Sequence, residues 1–163
     1  MIRVMVVDDH DFVRSAMCEL IGSTDDMCVV GEAENGAEAQ SVARDTAPEV
    51  VLMDLSMPVM NGIDATRALV AAKPTLRVVV LTTSTKGQDV HDVAAAGAVG
   101  FLAKSAEPDA VLDAIRAAVH GGSVGIGGGQ TRHRAATPSV GSGTSANHRT
   151  VAASPSRTGT SGR

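Results

Sequence analysis

The sequence predicts an α/β domain, a parallel sheet with helices on both faces, followed by a tail that builds no core. Three observations carry this prediction. Five short apolar runs alternate with segments of helical period. Four of those runs are nearly continuous in apolar residues, as strands buried on both faces are. The alternation then stops beyond Gly121. The 163 residues suffice for one ordinary domain and not comfortably for two.

The predicted strands are Ile2–Val7, Cys28–Ala33, Val50–Met53, Val78–Leu81 and Gly100–Ala103. The first helix is read from Phe12, Val13, Ala16, Met17, Leu20 and Ile21, which share one helical face, and Gly22 is placed to end it. Ala37–Thr46, Ile63–Ala72 and Gln88–Ala96 are the second to fourth helices. The fifth, Pro108–His120, starts at Glu107-Pro108 and has Val111, Leu112, Ile115, Ala118 and Val119 as its inner stripe. Crossovers between parallel strands are right-handed almost without exception.

The core is aliphatic, because Phe12 and Phe101 are the only aromatic residues. Cys18 and Cys28 have no metal-site or disulfide-framework spacing and read as reduced, buried thiols of a cytoplasmic protein. No stretch approaches the ~18 consecutive apolar residues of a membrane span, and the short apolar run of the N-terminus is cut off by acids, unlike a signal peptide. Charge is divided unevenly. Residues 1–122 hold nine Lys and Arg against eighteen Asp and Glu, a net charge of −9, while residues 123–163 hold five Arg and no acid. That tail also holds eight Gly, seven Ser and six Thr, and no Leu, Met or Phe, so it is expected to be disordered. Its Gly125-Ile-Gly-Gly-Gly run lacks the Gly-Lys-Ser/Thr ending and the preceding strand of a phosphate loop.

Ligands of such folds sit at the carboxyl ends of the strands, near the switch point in strand order. The residues just past the predicted strands are Asp8 and Asp9, Asp54, Thr82 and Thr83, and Lys104. Each alone has a bland reading as a turn, cap or solvated residue; together they bring three carboxylates, a hydroxyl and an ammonium to one edge. Gathered carboxylates repel, and a divalent cation such as Mg2+ relieves that repulsion. The chemistry suits an incoming phosphoryl group: an Asp carboxylate attacks phosphorus to form an acyl phosphate, and cations neutralise the transferring oxygens.

These residues resemble the receiver domain of bacterial two-component response regulators. The matching stretches are VMVVDDH at 4–10, VVLMDLSMPVMNG at 50–62, VVVLTT at 78–83 and AAGAVGFLAKS at 95–105. The DDH opening, the LTT and Lys104-Ser105 resemble the NarL/FixJ (LuxR-type) branch. The resemblance implies a flavodoxin-like (CheY-like), doubly wound, five-stranded parallel sheet of order 2-1-3-4-5 over residues 1–122. It implies Asp54 as phosphoacceptor, and Mg2+ bound by Asp9, Asp54 and the Ser56 backbone carbonyl with support from Asp8. Thr82 becomes the switch hydroxyl, Lys104 the phosphoryl-binding ammonium and Phe101 the aromatic switch. Ser56 and Ser84 fall where side chains tune acyl phosphate lifetime. The implied partners are a sensor histidine kinase and, on phosphorylation, a second copy of the chain; the implied setting is cytoplasmic phosphorelay signalling by a domain that is not a turnover enzyme.

The departure from that branch lies after residue 122. Members of it usually continue into a helix-turn-helix DNA-binding domain, and no recognition helix can be drawn in residues 123–163. Five Arg on a flexible segment give only a weak, salt-sensitive phosphate contact, so no specific nucleic-acid binding is expected from them. An alternative is a truncated or frameshifted transcriptional regulator whose tail is an out-of-frame remnant. Two further competitors are a haloacid-dehalogenase-type phosphatase and an inactive receiver used for binding. The first wants an acid two residues after the nucleophile, where this chain has Ser56. The second has no use for the full set of five site residues.

Overall fold

The computed structural model describes residues 1–83 and 87–122, without the side chains of residues 87 and 88. The expected disordered tail and Ser84 lie outside the described residues. The elements run β1 (Ile2–Val7), α1 (Asp11–Gly22), β2 (Met27–Ala33), α2 (Gly36–Thr46), β3 (Val50–Asp54), α3 (Gly62–Ala72), β4 (Arg77–Thr82), α4 (Gly87–Ala95), β5 (Gly100–Ala103) and α5 (Pro108–Val119). All strands are parallel, in the order β2-β1-β3-β4-β5. Each predicted element is present, its ends within one residue of the expected ones.

Alternation along the strands builds two cores. Met5, Val7, Val51, Met53, Val78 and Val80 face Ala39, Ala65, Leu69, Val93 and Phe101, which belong to α2, α3, α4 and β5. Val4, Val6, Val50, Leu52, Val79 and Leu81 face Ile21, Val111, Leu112, Ile115 and Ala118, from α1 and α5. This double burial explains the near-continuous apolar strands. Polar caps fix the helix starts. Asn35 accepts from the N–H groups of Ala37 and Glu38, and Asn61 accepts from that of Asp64.

Helix α1 departs from the expected stripe. Phe12 is 86% exposed and Ala16 is exposed, while Met17, Cys18, Leu20 and Ile21 pack on the core. The inner face is Arg14, Met17, Cys18 and Ile21, an i, i+3, i+4, i+7 set that starts on a cation. Arg14 lies along the protein with its guanidinium 2.6 Å from Asp11 and 3.3 Å from Glu32 on β2. Counting only apolar residues rotated the stripe toward Phe12.

The cysteines also differ from expectation, since both are half-buried rather than buried. Burial nonetheless pushes the Cys18 thiol up from 9.0 to about 11, with the Glu32 carboxylate adding to the effect. Its folded value exceeds its unfolded one, so its contribution to stability is complete below pH 9 and is lost as pH rises through about 11. Native protein at pH 8 is therefore expected to alkylate at Cys18 with iodoacetamide far more slowly than urea-unfolded protein, as peptide mass mapping would record. Equal rates would contradict this environment.

Gly62 opens α3 where a Cβ would stand 2.0 Å from the Asp54 carbonyl oxygen and 2.9 Å from the Leu55 Cα. Backbone cannot yield as a flexible side chain can. Gly62→Ala is expected to cost about 3 kcal/mol in urea denaturation. Gly22→Ala, where nothing lies within 4 Å of the added methyl, should change stability by no more than about 1 kcal/mol.

Candidate functional site

Adjacent strands deliver the acids. Parallel β1 and β3 pair with Val7 opposite Met53, so Asp8 and Asp54 leave the sheet side by side. Both are buried, at 2% and 3% exposure. Lys104 follows β5, and its backbone N–H extends that strand's pairing by donating to the Thr82 carbonyl at 2.8 Å. Its ammonium reaches back to lie 2.7 Å from Asp8 Oδ2 and 3.0 Å from Asp54 Oδ2. Thr82, buried at the end of β4, borders this path.

The loops complete the shell. Asp8 Oδ1 accepts from the His10 N–H at 2.9 Å, and Arg14 Nη1 donates to the Asp8 carbonyl at 2.7 Å. The Ser56 N–H donates to Asp54 Oδ1 at 3.3 Å. His10 Nδ1 stands 3.0 Å from Asp9 Oδ1 and 3.3 Å from Asp8 Oδ1.

The electrostatics are those of charges removed from water. Burial is the largest influence on Asp54 and raises its pKa; Lys104 and the Ser56 N–H oppose this, Asp8 reinforces it, and the net direction is upward. Burial disfavours the Lys104 ammonium, but the hydrogen bonds and charges of Asp8 and Asp54 together outweigh it and raise its pKa. Asp54 Oδ2 and Asp9 Oδ1 are buried, the first facing the Lys104 ammonium and the second the His10 ring. One ligand atom from each of Asp8, Asp9, His10 and Asp54 lies within 4.8 Å of all the others. A set rich in carboxylate oxygens at this spacing fits a hard divalent cation.

The predicted residues Asp8, Asp9, Asp54 and Lys104 thus meet at one edge, with Thr82 at the end of the intervening strand. Ser56 is recorded here through its N–H rather than its carbonyl. Phe101 lies apart from the cluster, 4% exposed within the core on the α2–α4 side of the sheet. Sequence reasoning missed His10 and Arg14. The signals for them were the His directly after the two acids, and an Arg at helical spacing from Met17 and Cys18.

The chain belongs to the response regulator receiver domain family, whose model matches residues 4–116. Its relatives are LuxR/NarL-type regulators. It is 42% identical to the response regulator GacA of Pseudomonas protegens over 116 residues, 71% of this chain and 54% of that one. It is 39% identical to the response regulator UvrY of Escherichia coli over 121 residues, covering 74% and 56% respectively. The chain thus spans about half the length of the curated relatives it matches. Among solved structures, a LuxR-family two-component response regulator from Aurantimonas superposes with a TM-score of 0.72 at 34% identity, over 75% of this chain and 87% of that one. The response regulator domain of Thermotoga maritima CheB gives 0.68 at 34% identity, over 74% and 97%. Among the described residues there is no DNA-binding domain beyond α5 and no helix long and apolar enough to cross a membrane.

The two buried acids depend on one cation. Lys104→Met leaves them unpaired and is expected to cost about 3–5 kcal/mol in urea denaturation. Lys73→Met, which removes an ammonium resting on the Pro48 carbonyl at 3.1 Å, should cost no more than about 1 kcal/mol.

Proposed function

We propose that residues 1–122 form a phosphorylation-controlled switch that accepts a phosphoryl group on Asp54 from a phosphohistidine of a sensor histidine kinase. The observation that carries this reading is the buried Asp54 carboxylate, whose Oδ2 is held against the Lys104 ammonium at 3.0 Å beside the buried Asp8. An Asp54 oxygen attacks phosphorus, the nitrogen–phosphorus bond breaks, and the departing imidazole keeps the electron pair and takes up a proton. Burial alone would favour the neutral acid, which is a poor nucleophile. Lys104 and the Ser56 N–H oppose that effect and favour the carboxylate. Asp8, Asp9, Asp54 and the Ser56 carbonyl are the residues that would hold Mg2+, which supplies charge neutralisation for the transferring phosphoryl group.

After transfer, Lys104 is released from its pairing with the Asp54 carboxylate and can hold a phosphoryl oxygen. Thr82 sits at the end of the next strand, where its hydroxyl can donate to another. Phe101 lies opposite Val80 in the β4–β5 pairing, so a shift near Thr82 is felt at Phe101 two residues along. The acyl phosphate then biases a two-state equilibrium of the face formed by α4, β5 and α5. That face meets a partner protein or a second copy of the chain. The domain assists its own phosphorylation and hydrolysis in the cytoplasm and is a signalling element rather than a turnover enzyme.

Incubation with acetyl phosphate and Mg2+ is expected to add the mass of one phosphoryl group to the intact protein. The gain should vanish in Asp54→Asn and in the presence of EDTA. An unchanged mass under every condition, or equal labelling of Asp54→Asn, overturns the assignment.

A further inference from the structure

We propose that the cleft between the C-terminal halves of α2 and α3 binds a small free carboxylic acid, with its apolar body against the helices and its carboxylate between Arg44 and Lys73. The cleft lies toward the amino ends of β3 and β4, the length of β3 away from Asp54, and does not share a residue with the acidic cluster.

The cleft encloses about 370 Å³, within the roughly 300–1,000 Å³ of small-molecule sites. Its floor is apolar, since Leu69 and Leu76 are buried there. Its width comes from alanine. Ala43 on α2 and Ala68 and Ala72 on α3 line its walls, where longer side chains would fill the space. The turn that closes it is held in shape. Ala47 caps α2 at φ 45° and ψ 60°, a left-handed conformation that alanine resists. The Arg3 guanidinium fixes that turn by donating to the Ala47 carbonyl at 3.4 Å and to the Thr46 carbonyl. Pro48 follows, buried and locked in φ by its ring. The cleft is therefore present before any ligand arrives.

Charge selects the occupant. Residues 1–122 carry a net charge of −9, yet the lining of the cleft includes Arg44 and Lys73 and no acid. Neither cation forms an ion pair among the described residues. Arg44 Nη2 donates to the Ser41 hydroxyl and Lys73 Nζ to the Pro48 carbonyl, each at 3.1 Å. Both partners are neutral, and a carboxylate makes the stronger, charge-assisted bond. Glu49, next to Pro48, is engaged elsewhere: its carboxylate accepts the Arg3 N–H at 3.0 Å. Two cations above an apolar floor of limited size fit a monoanion on a compact hydrocarbon body. A neutral ligand leaves the cations unused, and a ligand that is mostly phosphate leaves the leucines uncovered.

Octanoate and 4-phenylbutanoate are the probes, titrated into the full chain and followed by calorimetry and amide NMR spectra. At least one is expected to saturate and to shift the amides of Ala43, Ala68 and Ala72. Octanol, with the same body as octanoate and no charge, should bind at least about tenfold more weakly. Lys73→Met and Arg44→Gln should each weaken carboxylate binding at least about threefold. Ala68→Leu fills the cleft and should abolish saturable binding; Ala72→Leu serves if urea denaturation shows that Ala68→Leu does not fold. The five Arg of residues 123–163 are common to all these proteins, so the differences report the cleft. Failure of both probes to saturate wild type overturns the proposal. So do octanol binding as tight as that of octanoate, shifts confined to residues 123–163, or carboxylate binding unaltered in the folded leucine variant.

Discussion

The Lys104 ammonium between Asp8 and Asp54 is the contact on which the rest of the site depends. Sheet order makes it necessary. With β1 and β3 adjacent at the centre, their carboxylates emerge together, and both are nearly excluded from water. Two such charges repel, and each would protonate without a counter-charge. The counter-charge comes from beyond β5, on the far side of β4, so it bridges the strand carrying Thr82. A group that alters the charge on Asp54 changes what Lys104 balances, and Lys104 is tied by its own N–H to the Thr82 carbonyl. The electrostatics of one carboxylate and the geometry of the β4–β5 edge are therefore parts of one arrangement.

Most of this fold was legible because burial on both faces leaves a strong mark. Strands such as Val50–Met53 and Val78–Leu81 have no polar face to confuse the reading. The acids at their ends were legible for the same reason, since a charge after an unbroken apolar run must be exposed or paired. Pairing across the chain was not. Nothing local in Phe101-Leu102-Ala103-Lys104 says that the ammonium meets Asp8 as well as Asp54; that follows from strand order and reach. Helix α1 failed for another reason. Its inner stripe begins with Arg14, whose stem packs while its head pairs with Asp11 and Glu32, and a count of apolar residues does not score such a side chain.

Arg14 also ties the edge of the sheet to the site. Its guanidinium meets Glu32 on β2 at 3.3 Å and the Asp8 carbonyl at 2.7 Å. It therefore holds the loop after β1 through the Asp8 carbonyl while the His10 N–H holds the Asp8 carboxylate. Asp8, beyond the strand next to the central β3, is thus fixed at both its backbone and its side chain.

The loop after Asp54 shows what the sequence Met57-Pro58-Val59-Met60-Asn61-Gly62 accomplishes. Val59 has φ of 67°, a conformation that a β-branched residue resists, and the Met60 N–H donates to the Pro58 carbonyl across it at 2.8 Å. That is a γ-turn of the rarer, strained hand. Such a turn persists only where its surroundings over-determine it. Here they do: the Gly62 N–H donates to the Leu55 carbonyl, the Gly36 N–H donates to the Met60 carbonyl, and Asn61 caps α3. The tight reversal brings Gly62 against the Asp54 carbonyl, where only a residue without a Cβ fits. Backbone contact from the returning chain thereby fixes the peptide carrying Asp54, while its carboxylate meets the Ser56 N–H and the Lys104 ammonium. Strain placed at Val59, which is exposed and packs little, thus secures the position of a buried acid whose carboxylate is gripped by Lys104.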